Sequence, residues 1–234
     1  MRMQQVLMVL AVASGVPTSR AASQSRVGEI PRAMGAATVN TEPRTVEPVS
    51  ATSISGFSGG EITWLSMGAG EFGIDAISWW EVSDKPCALT VRSKSLSTGS
   101  APGSSQRMNI CGRGFILPAN PYINGAANDA DAKAVVFDGN PRHYLRGIAA
   151  CTNNDNNHRV KGIRIFPASV ALDGTVNALS SNESENRPNC SIWRQAVFCP
   201  NGQIASGVEV RHTDEEITGL GLRCRRVTMQ AAAP

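Results

Sequence analysis

The chain reads as an all-β domain with pseudo-threefold symmetry. Three observations predict it: a pattern that recurs three times, apolar alternation bounded by turn residues, and no sustained helical period longer than about ten residues. The first repeat, residues 57–82, runs FSGGEITWLSMGAGEFGIDAISWWEV. The second, 137–166, runs FDGNPRHYLRGIAACTNNDNNHRVKGIRIF, and the third, 198–224, runs FCPNGQIASGVEVRHTDEEITGLGLRC. Each opens on a Phe and a turn-forming cluster, then gives a short apolar strand, a polar or Gly-rich turn and a second apolar strand. Each therefore predicts a β-hairpin. In the third, Ile204, Val208 and Val210 share one parity against Glu209 and Arg211, the turn is His212–Glu216, and Leu220 and Leu222 share a face on return. In the second, Ile148 faces a return strand carrying Ile163 and Ile165. Gly147, Gly162, Gly207 and Gly219 recur at matching places, which predicts close packing of neighbouring elements, expected near the axis where three sheets meet.

The flanks read differently. Arg2 followed by the apolar run Val6–Val16 and the small residues Ser19 and Ala21 predicts a signal peptide over 1–21, cleaved before Ala22. That run is too short for an ordinary membrane span, and no other stretch approaches the ~20 apolar residues one needs. Residues 22–53 are rich in Ala, Ser, Thr and Pro, with Pro31, Pro43 and Pro48, and read as a flexible linker or removed pro-segment. The ordered domain is expected over 54–228, with a disordered tail at 229–234. Ser95–Gln106 and Asp173–Pro188 read as loops.

Charge argues against a nucleic-acid partner. The whole chain carries a formal +3; without residues 1–21 the balance is 20 basic against 19 acidic, and only Arg223, Arg225 and Arg226 cluster. Six cysteines, Cys87, Cys111, Cys151, Cys190, Cys199 and Cys224, all follow the leader, and in an exported chain they predict three disulfides. Cys199 enters the last hairpin and Cys224 leaves it, so these two are expected to pair, contributing about 3 kcal/mol. The pairing of the other four is open. No cysteine spacing fits a zinc site, and no cofactor motif is present. Asn182-Glu183-Ser184 and Asn189-Cys190-Ser191 are glycosylation sequons, meaningful in a eukaryotic source.

The chain resembles two families that share the β-prism architecture. Gly59-Gly60-Glu61-Ile62 through Gly70-Glu71-Phe72-Gly73-Ile74-Asp75-Ala76-Ile77 is similar to the jacalin-related lectin pattern. Cys199-Pro200-Asn201-Gly202 through Thr218-Gly219-Leu220-Gly221-Leu222-Arg223-Cys224 resembles the last repeat of vitelline membrane outer layer protein I. The resemblance implies three Greek-key sheets forming a triangular prism and, for jacalin-like members, a sugar site in the loops at one end. Those lectins use a Gly-x-x-x-Asp loop. Here four residues separate Gly70 from Asp75, and the matching positions are Lys161 and Thr218.

A sugar site needs hydrogen-bonding groups beside an aromatic face. The hairpin tips offer Glu71 and Asp75 with Phe72; Asn153, Asn154, Asp155, Asn156 and Asn157; and Asp214, Glu215 and Glu216. Threefold symmetry would bring these tips to one end. Trp79 and Trp80 are adjacent in a strand, so one indole should point inward; Trp193 is expected in the core. His143, His158 and His212 lack a Gly-x-Ser-x-Gly elbow, and Asp214–Glu216 are consecutive, so nothing places two carboxylates across a glycosidic bond. The sequence therefore predicts a secreted, non-catalytic lectin-like protein whose partner is a carbohydrate or glycoprotein. The alternatives are a structural coat or envelope protein and, third, a hydrolase or transferase acting on glycans.

Overall fold

Three long hairpins organise the chain, and their geometry repeats almost residue by residue. The computed structural model describes residues 41–100, 105–112, 115–116, 132–137, 140–153 and 158–231. The first five strands are β1 (Thr41–Ala51), β2 (Ser55–Gly56), β3 (Glu61–Ser66), β4 (Phe72–Val82) and β5 (Lys85–Ser95). Next come β6 (Ser105–Asn109), β7 (Ala132–Val136), β8 (His143–Thr152), β9 (Val160–Val170) and β10 (Val176–Ala178). The last are β11 (Glu183–Asn186), β12 (Ile192–Trp193), β13 (Val197–Phe198), β14 (Gln203–His212) and β15 (Ile217–Ala231). No helix occurs among the described residues.

The strands form three antiparallel sheets, ordered β1-β15-β14-β3, β6-β5-β4-β7 and β10-β9-β8-β12. β2 adds to β15, β11 to β9 and β13 to β8. The hairpins β4–β5, β8–β9 and β14–β15 each centre one sheet. Their pairing is interrupted at equivalent places, first by an extra residue on the outgoing strand between Ile74/Ala76, Leu145/Gly147 and Ala205/Gly207, then by an extra residue on the return strand, Cys87, Lys161 and Thr218, opposite Trp80/Glu81, Cys151/Thr152 and Arg211/His212. Each first interruption falls three residues into its strand, a β-bulge that bends the hairpin in the same way three times. One shared core fills the space between the sheets: Leu65, Val208 and Leu220; Ile77, Trp79 and Leu89; Ile148, Ile163 and Ile165, every one nearly or wholly buried. This is a β-prism.

The structure corrects the first repeat. Glu61–Ser66 and Phe72–Val82 are not partners: β3 pairs with β14, setting Leu65 opposite Val208, and β4 pairs with β5. Gly68 and Gly70, at φ +76 and +144, let the chain cross between sheets. β4 is buried on both faces, as a central strand must be. Its true turn is Ser83-Asp84, both at positive φ, the two-residue geometry that matches strand twist. Asp75 therefore aligns with Arg146 and Ser206, not with Lys161 and Thr218.

The expected linker also needs correction at its end. Thr41–Ala51 is an edge strand paired with β15 from Thr41↔Ala231 to Ala51↔Arg223. Its prolines mislead because an edge position tolerates a missing donor, and Pro43 and Thr45 alternate into the fold. The same pairing extends β15 through Met229–Ala231, inside the expected tail. The leader and residues 22–40 lie outside the described residues. Of the expected loops, Ser105–Gln106 begins β6, and Asp173–Pro188 contains β10 and β11. The matched glycines do mark close approach, but not at the axis. A Cβ on Gly147 would sit 2.3 Å from the Phe198 ring, and one on Gly219 2.3 Å from the Phe57 carbonyl oxygen, where outer segments cross the sheets.

Cys199 and Cys224 are bonded as expected, and the remaining pairs are Cys87–Cys111 and Cys151–Cys190. The second joins β8 to the segment that follows β11, and the first joins β5 to the residues just past β6.

Candidate functional site

The three hairpin tips, Ser83-Asp84, the turn after Thr152, and Thr213–Glu216, meet at one end of the prism and are tied by charge. Lys85 pairs with Glu215 across the first and third tips. Arg159, in the second, reaches Glu216 at 2.5 Å and Asp84 at 3.5 Å. Lys161, with no exposed side-chain surface, donates to the Asp84 carboxylate at 2.8 Å, to the Asp84 carbonyl at 2.6 Å and to Glu81 at 3.3 Å. Arg187 stands 3.6 Å from Glu81, and the Asn189 amide donates to Asp84 at 2.8 Å.

The local electrostatics follow from burial. Desolvation pushes the Glu81 carboxyl above its ordinary range, opposed by Lys161 and Arg187. The hydrogen bond from Lys161 holds Asp84 below the usual carboxylate range, and the Lys85 hydrogen bond does the same for Glu215. Lys161 can remain in the interior because its donors are met by two carboxylates and a carbonyl.

Two open hollows flank the third tip. One, of about 290 Å³, is lined by Val82, Ser83, Lys85, Ile110, Asp214 and Glu215, with the Cys87–Cys111 bridge in its wall. The other, of about 490 Å³, is lined by Gly60, Glu61, His212, Thr213, Asp214 and Glu215. Asp214 borders both. At the second tip the Phe57 and His158 rings stack at 4.5 Å with planes 8° apart, and Phe57 is 42% exposed. This makes a flat aromatic face beside the polar cluster.

The predicted residues divide sharply. Asp214 and Glu215 lie at the tips and line the hollows. Asn153 is half-buried at the second tip, its N–H donating to the Arg159 carbonyl at 3.3 Å; Asn154, Asp155, Asn156 and Asn157 lie outside the described residues. Glu71 and Phe72 sit at the opposite end of β4, where the Glu71 carbonyl accepts from Leu96 N–H at 2.7 Å. Asp75 is no tip residue either. It occupies the β4 bulge, 2% exposed, and accepts a bidentate pair from Arg92 at 3.1 and 2.6 Å. The Asp of the lectin-type loop is thus committed to an internal ion pair.

Trp79 and Trp80 are both buried, so the outward indole is covered. Trp193 lies half-buried in β12 with Arg164 stacked 4.1 Å over its ring, not in the core. His212 is buried rather than a surface turn: Nδ1 lies 2.9 Å from the Thr213 carbonyl and Nε2 2.9 Å from the Thr63 hydroxyl. Sequence reasoning missed Glu81, Asp84, Lys85, Arg159, Lys161 and Arg187. The available signal was Ser-Asp between two apolar strands, a turn pair that the hairpin rules permit. Among the described residues no group of His, Cys, Asp and Glu could hold a metal ion. No helix of the described residues is long and apolar enough to cross a membrane.

Fold and tips together define a disulfide-stapled β-prism protein with a polar cluster and an aromatic pair at one end. Among solved structures the chain is similar to Calsepa lectin in complex with a biantennary N-glycan, at 15% identity over 77% of this chain and 99% of that one, TM-score 0.44. It is also similar to a mannose-specific jacalin-related lectin from Morus nigra in complex with mannose, at 11% identity over 77% and 96%, TM-score 0.43. A third is Malaysian banana lectin, at 12% identity over 76% and 98%, TM-score 0.42. No family model and no curated protein matches the chain.

Proposed function

We propose that this is a secreted, non-catalytic carbohydrate-binding protein that takes its ligand at the converged hairpin tips. The observation that carries the reading is Asp214, exposed between two hollows, with the flat Phe57–His158 pair at the same end. An aromatic face for the apolar side of a sugar ring and oriented acceptors for its hydroxyls are what such a site requires. Lys85, Arg159 and Lys161 hold Glu215, Glu216 and Asp84 in place before a ligand arrives, which lowers the ordering cost of binding. Glycoside hydrolysis needs one carboxyl to hold a transferable proton beside a second carboxylate at the substrate, and Glu81, the carboxyl held above its ordinary range, is buried and lines neither hollow, which argues against it. Three disulfides support folding in an oxidising compartment.

A glycan array probed with the oxidised full chain, Asp214→Ala and Asp75→Asn tests the reading. Selective binding is expected, lost in Asp214→Ala and kept in Asp75→Asn. No binding by a folded, disulfide-bonded protein would overturn it in favour of a structural coat role. Loss in Asp75→Asn alone would move the site to the other end of the prism.

A further inference from the structure

The outer face of the β8–β9 sheet is built differently from the tips. Ile148, Ile163 and Ile165 turn into the core, so Gly147, Ala149 and Cys151 of β8 and Gly162, Arg164 and Phe166 of β9 share the opposite face. Two short strands add to it: Trp193 of β12 lies beside Cys151, and Phe198 of β13 beside Gly147. Gly147 leaves a gap between Phe198 and Phe166, whose rings meet there with centroids 5.0 Å apart. Each end of this aromatic strip carries a guanidinium. Arg164 stacks 4.1 Å over the Trp193 ring, and Arg146, the extra residue of the β8 bulge, lies 5.7 Å over the Phe198 ring. Arg146 also donates to the Asn201 side chain at 3.1 Å. Among the described residues no carboxylate pairs with either arginine. The acidic strand alongside, β11, turns its charges away: Ser184 aligns with Arg164, which sets Glu183 and Glu185 on the other parity, and Glu185 pairs with Lys133 at 3.5 Å. Arg164 lies beside Ala149, three positions along β8 from Arg146. At roughly 3.4 Å of rise per residue the two arginines are set about 10 Å apart along the sheet.

We propose that this face is a second binding surface, separate from the hairpin tips, for an acidic polysaccharide whose sugars carry carboxylates. Charge complementarity selects the occupant. Lys85, Arg159 and Lys161 at the tips are matched by carboxylates of the protein itself, whereas Arg146 and Arg164 present two positive charges without one. A guanidinium held flat on a ring keeps its in-plane N–H groups for an acceptor at its edge, and a carboxylate takes two of them in parallel. The Phe198 ring, 44% exposed beside Arg146, offers a flat apolar face to the C–H side of a sugar ring. Ring face and carboxylate of one uronate residue are therefore met together. The ring–guanidinium pair occurs twice along the strip, which suits a repeating acidic chain; a single small anion would use one pair only. Stacking fixes both guanidiniums in advance, so little rotamer freedom is lost on binding. The surface stands independently of the carbohydrate reading of the tips.

The test is affinity electrophoresis of the full oxidised chain through gels containing polygalacturonate or alginate, beside gels containing dextran sulfate or poly-glutamate. The wild type should be retarded by at least one of the two polyuronates, and retardation should weaken as salt is raised. Arg164→Gln and Arg146→Gln should each weaken binding about tenfold, and the double variant should abolish it. Arg164→Lys, which keeps the charge but not the planar fork, should restore little of the loss. Phe198→Leu, which removes the flat ring, should weaken binding about fivefold. Circular dichroism confirms that each variant is folded, and either arginine serves alone if the other variant is not. Asp214→Ala should leave polyuronate binding unchanged; a loss there would move the acidic sugar to the tips and overturn the second surface. No retardation by either polyuronate, or retardation untouched by both arginine variants, would overturn it equally. Retardation by poly-glutamate or dextran sulfate as strong as by the polyuronates, with Phe198→Leu without effect, would replace the polysaccharide by an acidic protein or by charge alone.

Discussion

Replacing Lys161 by Met tests how the tips are held together. The ammonium is fully buried and serves two carboxylates: Glu81, whose side chain is 7% exposed, and Asp84, at 54%. Asp84 can turn to water and keeps Arg159 and Asn189, so its loss is small. Glu81 cannot. Among the described residues it retains Arg187 alone, at 3.6 Å, and its carboxyl already sits above the ordinary range because of desolvation. Leaving one partner of a buried pair behind costs about 3–5 kcal/mol, and the surviving Arg187 puts this case near 3. For a domain of this size that is a fall in Tm of about 6–12 °C. The assay is calorimetry of the oxidised protein at neutral pH, with Glu81→Leu and the double variant completing a cycle whose coupling should be about 2 kcal/mol. The pH dependence has a definite sign. A carboxyl raised in the folded state contributes least stability above its folded value, so the Lys161→Met deficit should shrink as pH falls through the Glu81 titration. A deficit under about 1 kcal/mol, or one that grows on acidification, would refute the reasoning.

Three further outcomes follow from the same contacts. Asp84, held low by Lys161, contributes stability that is present above the ordinary carboxylate value and lost as pH falls through its depressed one; Asp84→Asn should flatten the acid limb of a urea-midpoint-against-pH profile. Removing the Cys87–Cys111 bridge as a double Ser variant opens a loop with sequence separation 24 and should cost about 3 kcal/mol in urea unfolding, and weaken binding in the hollow it lines. Tyr144 is fully buried, its hydroxyl donates to the Ser95 carbonyl at 2.5 Å, and burial raises its pKa. In a Tyr122→Phe background, absorbance titration should therefore show no phenolate through the ordinary range near 10, followed by ionisation that coincides with unfolding.

The threefold reading came through because bulk alternation is a strong signal. Ile148, Ile163 and Ile165, and Val208, Leu220 and Leu222, fall in the shared core as their parity requires. The hidden parts have local causes. β5 carries the apolar run Pro86–Val91 without a flanking Asn-Gly, so its hairpin with β4 is invisible until Ser83 and Asp84 are seen at positive φ. β1 is written in prolines and threonines and becomes a strand only through pairing with β15, a partner some 180 positions away. Asp75 looked like a ligand because a bulge position cannot be read from one strand; its guanidinium partner lies on the next. Nothing in the sequence marks Lys161 as buried, and only the meeting of three tips gives it an interior to occupy.

The most direct measurement is hydrogen exchange of the full oxidised chain, read by mass spectrometry with and without saturating mannan, xylan, laminarin or glycol chitin. The account predicts that one of these slows exchange at 82–87 and 212–217, around the two hollows. Protection confined to 71–76 and 93–100, at the far end of the prism, would contradict it.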